Sequence, residues 1–211
     1  MEIVYTNDLS KITTSSIGFY GDILDLINQR IEIEGIDYDD EWTVKRFLSN
    51  SRLFANKRID TVLKYLELDS KYLKVKIKDL SKVTFKYVLL AHALLNNKRN
   101  IIFERFEIGL SNKEKKNILQ ILRKLQNDGI NLVFISKDLI FLNQIVDNIV
   151  VIKNKKIVYN DSIIKLINSK KPDVELPPVC KFVEYANKKK AGLDMTLDHK
   201  ELLKDIYRSV C

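Results

Sequence analysis

Between residues 80 and 162 the sequence alternates regularly between helical and extended patterns, and this alternation narrows the fold more than any other feature. Ser81 stands where a side-chain oxygen can cap a helix, and the pattern it opens runs to about Asn96. A short apolar strand follows at 100–104. "SNKE" at 111–114 is a capping box, in which Ser111 satisfies an orphan amide while Glu114 reaches back. The helix it starts keeps Ile118, Ile121, Leu122 and Leu125 on one face and stops at Gly129. "INLVFIS" then reads as a strand and "LIFLNQIVD" as a helix. "NIVVIKNKKIVYN" is a hairpin turning at Asn154, and "SIIKLINS" is a last short helix. Strands separated by helices predict an α/β fold: a mostly parallel sheet covered by helices.

The flanking regions are less regular. "MEIVYTN" and "SIGFYGD" read as short strands, "DILDLINQ" as a helical turn or two, and "RIEIEGID" as an alternating edge strand. "DDEWTVKRFLSNSRL" opens a helical region, and 56–68 is an amphipathic helix with Ile59, Val62, Leu63 and Leu66 on one face. After "SKKPD" the composition shifts. Pro177 and Pro178 suit the start of a helix running to about Lys190, and Gly192 breaks it. "DHKE" at 198–201 is a second capping box, opening "LLKDIYRSV". The expected organisation is an α/β domain over 1–170, with a helical subdomain at about 42–80, and a two-helix extension over 171–211.

Composition excludes several classes. A chain of 211 residues with 45% hydrophobic and 30% charged residues reads as a soluble globular protein. No apolar run approaches the ~20 residues of a membrane span, and the first residues lack a basic-then-apolar signal pattern. Cys180 and Cys211 offer neither metal spacing nor a disulfide framework, so a cytoplasmic location is expected. His92 and His199 lie apart on helices and suggest no base or metal pair. The net charge of +8 is spread in patches such as "NKKK" at 187–190. With no zinc-finger or RNP signature beside it, specific nucleic-acid binding is not expected.

The run from 80 to 162 resembles the second half of an ATP-binding-cassette (ABC) ATPase domain. That family carries the phrase LSGGQ, a helix ending in "ARALL", a strand ending in DEP, an "SGLD" turn, a helix, a strand ending in THD and a terminal hairpin. Here the same order and spacing appear as "LSKVT", "AHALL", "IIFERF", "IGLS", "ISKD" and the hairpin after it. The "TVKRFL" and "RIDTVLKYLEL" stretches resemble the family's helical subdomain, and "ELPPVCKFVEYANKKKAGLDMTLDHKELLKDIYRS" is similar to the tail of energy-coupling-factor ATPase subunits.

The resemblance places functional positions, and each departs from the family's chemistry. A phosphate loop needs Gly-Lys-Ser/Thr at a helix N-terminus, and the chain contains no Gly-Lys pair. Gly18 and Gly21 mark either a phosphate-loop remnant or the family's Q-loop, with Asp22 in the wrong charge state for the first. The signature positions are Leu80, Ser81, Lys82, Val83 and Thr84, where Lys82 and Val83 replace glycines that admit the γ-phosphate. Ser81 reads first as a helix cap. Glu104 takes the Walker B aspartate position, where it could still hold a hydrated magnesium; an ion pair with Arg105 is the simpler reading. Arg105 takes the place of the general base, and a guanidinium cannot accept a proton from water at neutral pH. Ser111 replaces the D-loop aspartate and Lys137 the switch histidine.

The resemblance with these departures implies a catalytically impaired ABC-ATPase-like subunit, a structural or regulatory partner in a transporter of the energy-coupling-factor type. No cofactor is predicted; ATP and magnesium would enter only if a partner subunit supplied the site. The implied partners are a competent ABC ATPase subunit, in a homo- or heterodimer, and a transmembrane component that brings the chain to the membrane periphery. Val179, Phe182, Val183, Leu202, Leu203 and Ile206 would form a dimer interface, or pack back on their own domain. The alternative function is a basic protein- or nucleic-acid-binding module that reuses the scaffold outside transport.

Overall fold

Among the described residues, apolar runs and amphipathic helices assemble into one six-stranded sheet with helices packed against it. The structure is a computed structural model and describes residues 3–5, 16–20, 36–49, 56–154, 156–169 and 174–210. In chain order the elements are β1 (Ile3–Tyr5), β2 (Ile17–Tyr20), α1 (Val44–Ser49), α2 (Asn56–Tyr65), α3 (Lys82–Leu95), β3 (Asn100–Glu104) and α4 (Asn112–Asn127). They continue as β4 (Asn131–Ser136), α5 (Leu139–Asn143), β5 (Asn148–Lys153), β6 (Lys156–Ser162), α6 (Ile163–Ile167), α7 (Pro178–Lys188) and α8 (His199–Val210). The expected helix "DILDLINQ", Gly21, Asp22 and Cys211 lie outside the described residues, as does most of "RIEIEGID", whose described Ile36 and Asp37 are not in a strand.

The sheet order is β1-β3-β4-β2-β5-β6. Its four central strands are parallel, and β1 and β6 close the two edges in antiparallel pairing. The parallel strands are apolar on both sides, as burial under helices requires. Ile101, Phe103, Leu132, Phe134, Ile149 and Val151 join the main apolar cluster. Their alternating neighbours Ile102, Val133, Ile135, Phe19 and Val150 are buried as well. In contrast, β6 leaves Ile157 and Val158 exposed.

Helix ends follow the caps read in the sequence, with three differences. Ser81 accepts a hydrogen bond from the Thr84 amide at 3.0 Å, and the Ser111–Glu114 box is reciprocal. The helix expected over 56–68 stops at Tyr65 because Glu67 turns left-handed (φ 56°) and the Leu68 amide donates back to the Leu63 carbonyl. Helix α5 ends at Asn143 rather than near Asp147, since Ile145 and Val146 turn inward and are buried. Before α8 the direct box is replaced by a relay. Thr196 Oγ1 accepts from the Asp198 amide at 3.0 Å and donates to the Glu201 carboxylate at 3.1 Å, while the Asp198 carboxylate accepts from the Lys200 amide.

The C-terminal unit is part of the same apolar cluster as the sheet. Val179, Cys180, Val183, Leu193, Leu197 and Leu202 all belong to it, and the Glu175 amide donates to Tyr20 Oη at 2.9 Å. Helix α1 is tied to α3 through Phe47, whose ring stacks on His92 with centroids 4.6 Å apart and planes 15° apart.

Two predictions follow from this packing. Gly18 sits inside β2 opposite α5, where an added Cβ would lie 2.9 Å from Val146 Cγ2 and 3.1 Å from a Leu142 methyl carbon. Gly18→Ala should therefore cost about 1 kcal/mol or more through overpacking, read as a lower denaturant midpoint; an unchanged midpoint would refute the account. Burial, with a smaller push from Lys98, lowers His92 from its ordinary 6.5 to about 4. The unfolded chain then takes up the proton first. Stability is complete above the ordinary histidine range and is lost as pH falls through the folded value, by roughly 3 kcal/mol for the full shift. Melting temperature should fall between pH 6.5 and 4 in the wild type, and less in His92→Phe.

Candidate functional site

In an open parallel sheet, ligands bind beyond the carboxyl ends of the strands, because helix N-termini and loops converge there. Three strands of this sheet end side by side. Glu104 of β3 pairs in register with Ile135 of β4, which pairs with Phe19 of β2; Ser136 and Tyr20 form the next rung. The Arg105 amide extends the ladder by one bond to the Ile135 carbonyl at 2.8 Å. Arg105 then takes a left-handed backbone (φ 48°), which turns its side chain out to solvent. Glu104 is half-buried, and among the described residues the two form no ion pair with each other, contrary to the expected pairing. The physical reason is that reversal of the backbone at Arg105.

Lys137 is exposed directly after β4. Asp138, next to it, caps α5 by accepting from the Phe141 amide at 3.0 Å and pairs with Lys115 at 3.2 Å. At the start of α3, the Ser81 hydroxyl is engaged by the Thr84 amide and lies 2.9 Å from Thr84 Oγ1. Lys82 is exposed, while Val83 and Thr84 line a cleft of about 290 Å³ together with Tyr72, Tyr87 and Asn117. Leu80 is half-buried against the apolar cluster. Ser111 is spent on its capping box. A larger cavity of about 590 Å³ lies at the opposite, amino ends of the strands, between Ser16, Asn131 and Asn148. Its Arg123 and Gln126 donate to the carbonyls of Gln144 and Ile145, so this polar lining closes the end of α5.

Two buried ionisable residues at the sheet's carboxyl end escape the sequence reading. Lys86, only 3% exposed, donates through Nζ to the carbonyls of Phe106 and Ile108 and so holds the turn after β3. Burial depresses its pKa, and the nearby Glu107 carboxylate partly restores it. Glu107, 7% exposed, accepts from Ser136 Oγ at 2.6 Å, while its Oε2 has no hydrogen-bond partner. Ser136 Oγ in turn accepts from the Asp138 amide at 2.9 Å. The one available signal was Lys86 itself, a charge one turn before Leu89 and Leu90 on a face that helical spacing makes apolar.

Of the expected interface residues, Val179, Val183 and Leu202 are buried within the chain's own core, and Ile206 packs against it. Phe182 and Leu203 are exposed, at 49% and 56%. Gly18 is explained by the approach of Leu142 and Val146 to the middle of β2, since a phosphate-loop glycine would lie beyond a strand end. Among the described residues, no group of three or more His, Cys, Asp or Glu side chains could hold a metal ion. Nor is any described helix long and apolar enough to cross a membrane.

No protein-family model matches the sequence, and a comparison with curated proteins gives no match. Solved structures do match. The chain superposes on a nucleotide-free ATP-binding cassette from an ABC transporter with TM-score 0.62 and 16% identity, covering 75% of this chain and 86% of that one. It matches cbiO1 from Clostridium perfringens, part of the ABC transporter complex cbiONQ, with TM-score 0.60 and 17% identity over 81% of this chain and 88% of that one. A dimeric ATP-binding cassette in a post-hydrolysis state, bound to ADP and Pi, matches with TM-score 0.53 and 21% identity over 74% and 67%. The chain has the fold of an ABC-transporter ATPase domain.

The buried Lys86 makes a stability test. Lys86→Met removes two charge-assisted bonds and a buried cation near the Glu107 carboxylate, so it should cost about 2–4 kcal/mol in denaturant unfolding. Adding Glu107→Gln should recover part of that loss; purely additive costs would show that the two charges do not interact.

Proposed function

We propose that this chain is an ABC-ATPase-like subunit impaired in catalysis, acting as a structural or regulatory partner of a competent ATPase in a membrane transporter. The observation that carries the reading is Arg105 at the carboxyl end of β3. It follows the half-buried Glu104, in the place where the fold would position a base for water, and presents a permanently charged guanidinium.

The neighbouring positions support it. The residues present do not fit a bound nucleotide and magnesium ion: no Gly-Lys pair supplies a phosphate cradle, and Gly18 serves packing. Lys82 and Val83 put side chains at the start of α3 where a phosphate would approach, and the Ser81 hydroxyl is committed to its own helix. The scaffold around these positions keeps its caps and apolar faces, as a chain retained for assembly would. The match to cbiO1, part of a transporter complex, supports a transporter partner of the energy-coupling-factor kind. Of the expected interface set, Phe182 and Leu203 remain exposed.

The test is nucleotide titration and phosphate release on the purified chain. The expected result is no turnover and no micromolar binding of magnesium ATP; micromolar binding with hydrolysis would overturn the reading. Affinity purification from native membranes should recover a transmembrane protein and a second ATPase subunit together with the chain.

A further inference from the structure

Among the described residues, four of the nine large apolar side chains left exposed lie on α7 and α8: Phe182 at 49%, Tyr185 at 59%, Leu203 at 56% and Tyr207 at 71%. These helices have already buried one face, through Val179, Cys180, Val183 and Leu202. The exposed apolar positions therefore form a second, outward stripe on each, which core packing does not account for.

The charges beside these stripes are ordered. At 3.6 residues per turn, Leu203 and Tyr207 lie one turn apart on α8. Lys200, Lys204 and Arg208 fall on the stripe next to them, while Glu201 and Asp205 fall beyond it. These two acids also face their own chain: Glu201 accepts from Thr196 and Asp205 accepts from the Asp194 amide at 2.8 Å. Helix α7 repeats the order, with Phe182 and Tyr185, then Lys181 and Lys188, then Glu184. Lys189 lies 4.8 Å over the Tyr185 ring.

We propose that the outward side of α8, assisted by that of α7, is a contact surface for an anionic phospholipid bilayer. Leu203 and Tyr207 enter the interface, and Lys200, Lys204 and Arg208 meet the headgroup phosphates. An amphipathic surface with aromatic and leucine residues bordered by lysines matches an interface that is apolar below and negatively charged above. Tyrosine suits that depth, since its ring is apolar and its hydroxyl stays wet. A protein–protein interface fits less well, because its buried core is depleted in lysine. The proposal does not depend on the transporter reading. It gives the chain a membrane contact of its own, separate from any transmembrane partner.

The experiment is co-sedimentation of the full chain with phosphatidylcholine vesicles, with and without about one third phosphatidylglycerol. The expected result is binding to the anionic vesicles alone, weakening as salt screens the lysines. The paired variant Leu203→Ser/Tyr207→Ser should bind about tenfold or more weakly. The triple variant Lys200→Glu/Lys204→Glu/Arg208→Glu should fall to the level of neutral vesicles. All five side chains lie on the surface, so the melting temperature of both variants should stay near that of the wild type. A Tyr207→Trp variant gives a second reading: its emission should move to the blue on anionic vesicles. Failure to bind, equal binding to neutral vesicles, or wild-type binding by both variants would overturn the proposal. So would loss of self-association in Leu203→Ser/Tyr207→Ser, seen by light scattering, with vesicle binding unchanged.

Discussion

The structure depends on burying two adjacent parallel strands, β3 and β4, on both faces. Their phenylalanines make the connection physical. Phe103 stacks on Phe134 with centroids 5.0 Å apart, Phe106 meets Phe103 edge-on at 4.8 Å, and Phe141 meets Phe134 edge-on at 5.9 Å. One chain of rings thus joins β3, the turn after it, β4 and α5. Because all four rings are nearly inaccessible to water, the register of the strands and the placement of the turn are set together. Everything at the carboxyl end of the sheet, from Glu104 to Asp138, is positioned by that packing.

A polar network runs alongside this apolar one. Lys86 reaches from the middle of α3 to two carbonyls of the turn, and Glu107 reaches from the turn to Ser136 at the end of β4. The signature-like helix, the turn and the strand end are therefore held by charges as well as by rings. In a low-dielectric interior such charges are stabilising only when compensated, and the Glu107 carboxylate offsets part of the cost of burying Lys86. This arrangement holds the turn after β3 between α3 and the end of β4.

Legibility in the sequence varied with the range of the interaction that decides each feature. The strand at 100–104, the caps at Ser81 and Ser111 and the stop at Gly129 were readable because each is set by neighbours within one or two helical turns. The early end of α2 at Tyr65 was not, since Glu67 adopts a left-handed cap that sequence patterns assign mainly to glycine or asparagine. The packing demand at Gly18 was not legible for a similar reason. Its need for a small side chain comes from Leu142 and Val146, more than a hundred residues away in the chain.

By itself the sequence determined the order of strands and helices, the absence of a Gly-Lys pair and the identity of Arg105, because these are properties of residue type and spacing. The tertiary structure decided which ionisable groups are buried, and it turned Arg105 away from Glu104 through one left-handed residue. It also divided the apolar residues of the C-terminal helices, placing Val179, Val183 and Leu202 in the core and Phe182, Tyr185, Leu203 and Tyr207 at the surface. Helical periodicity shows that a face is apolar; only the packing of the whole chain determines what that face meets.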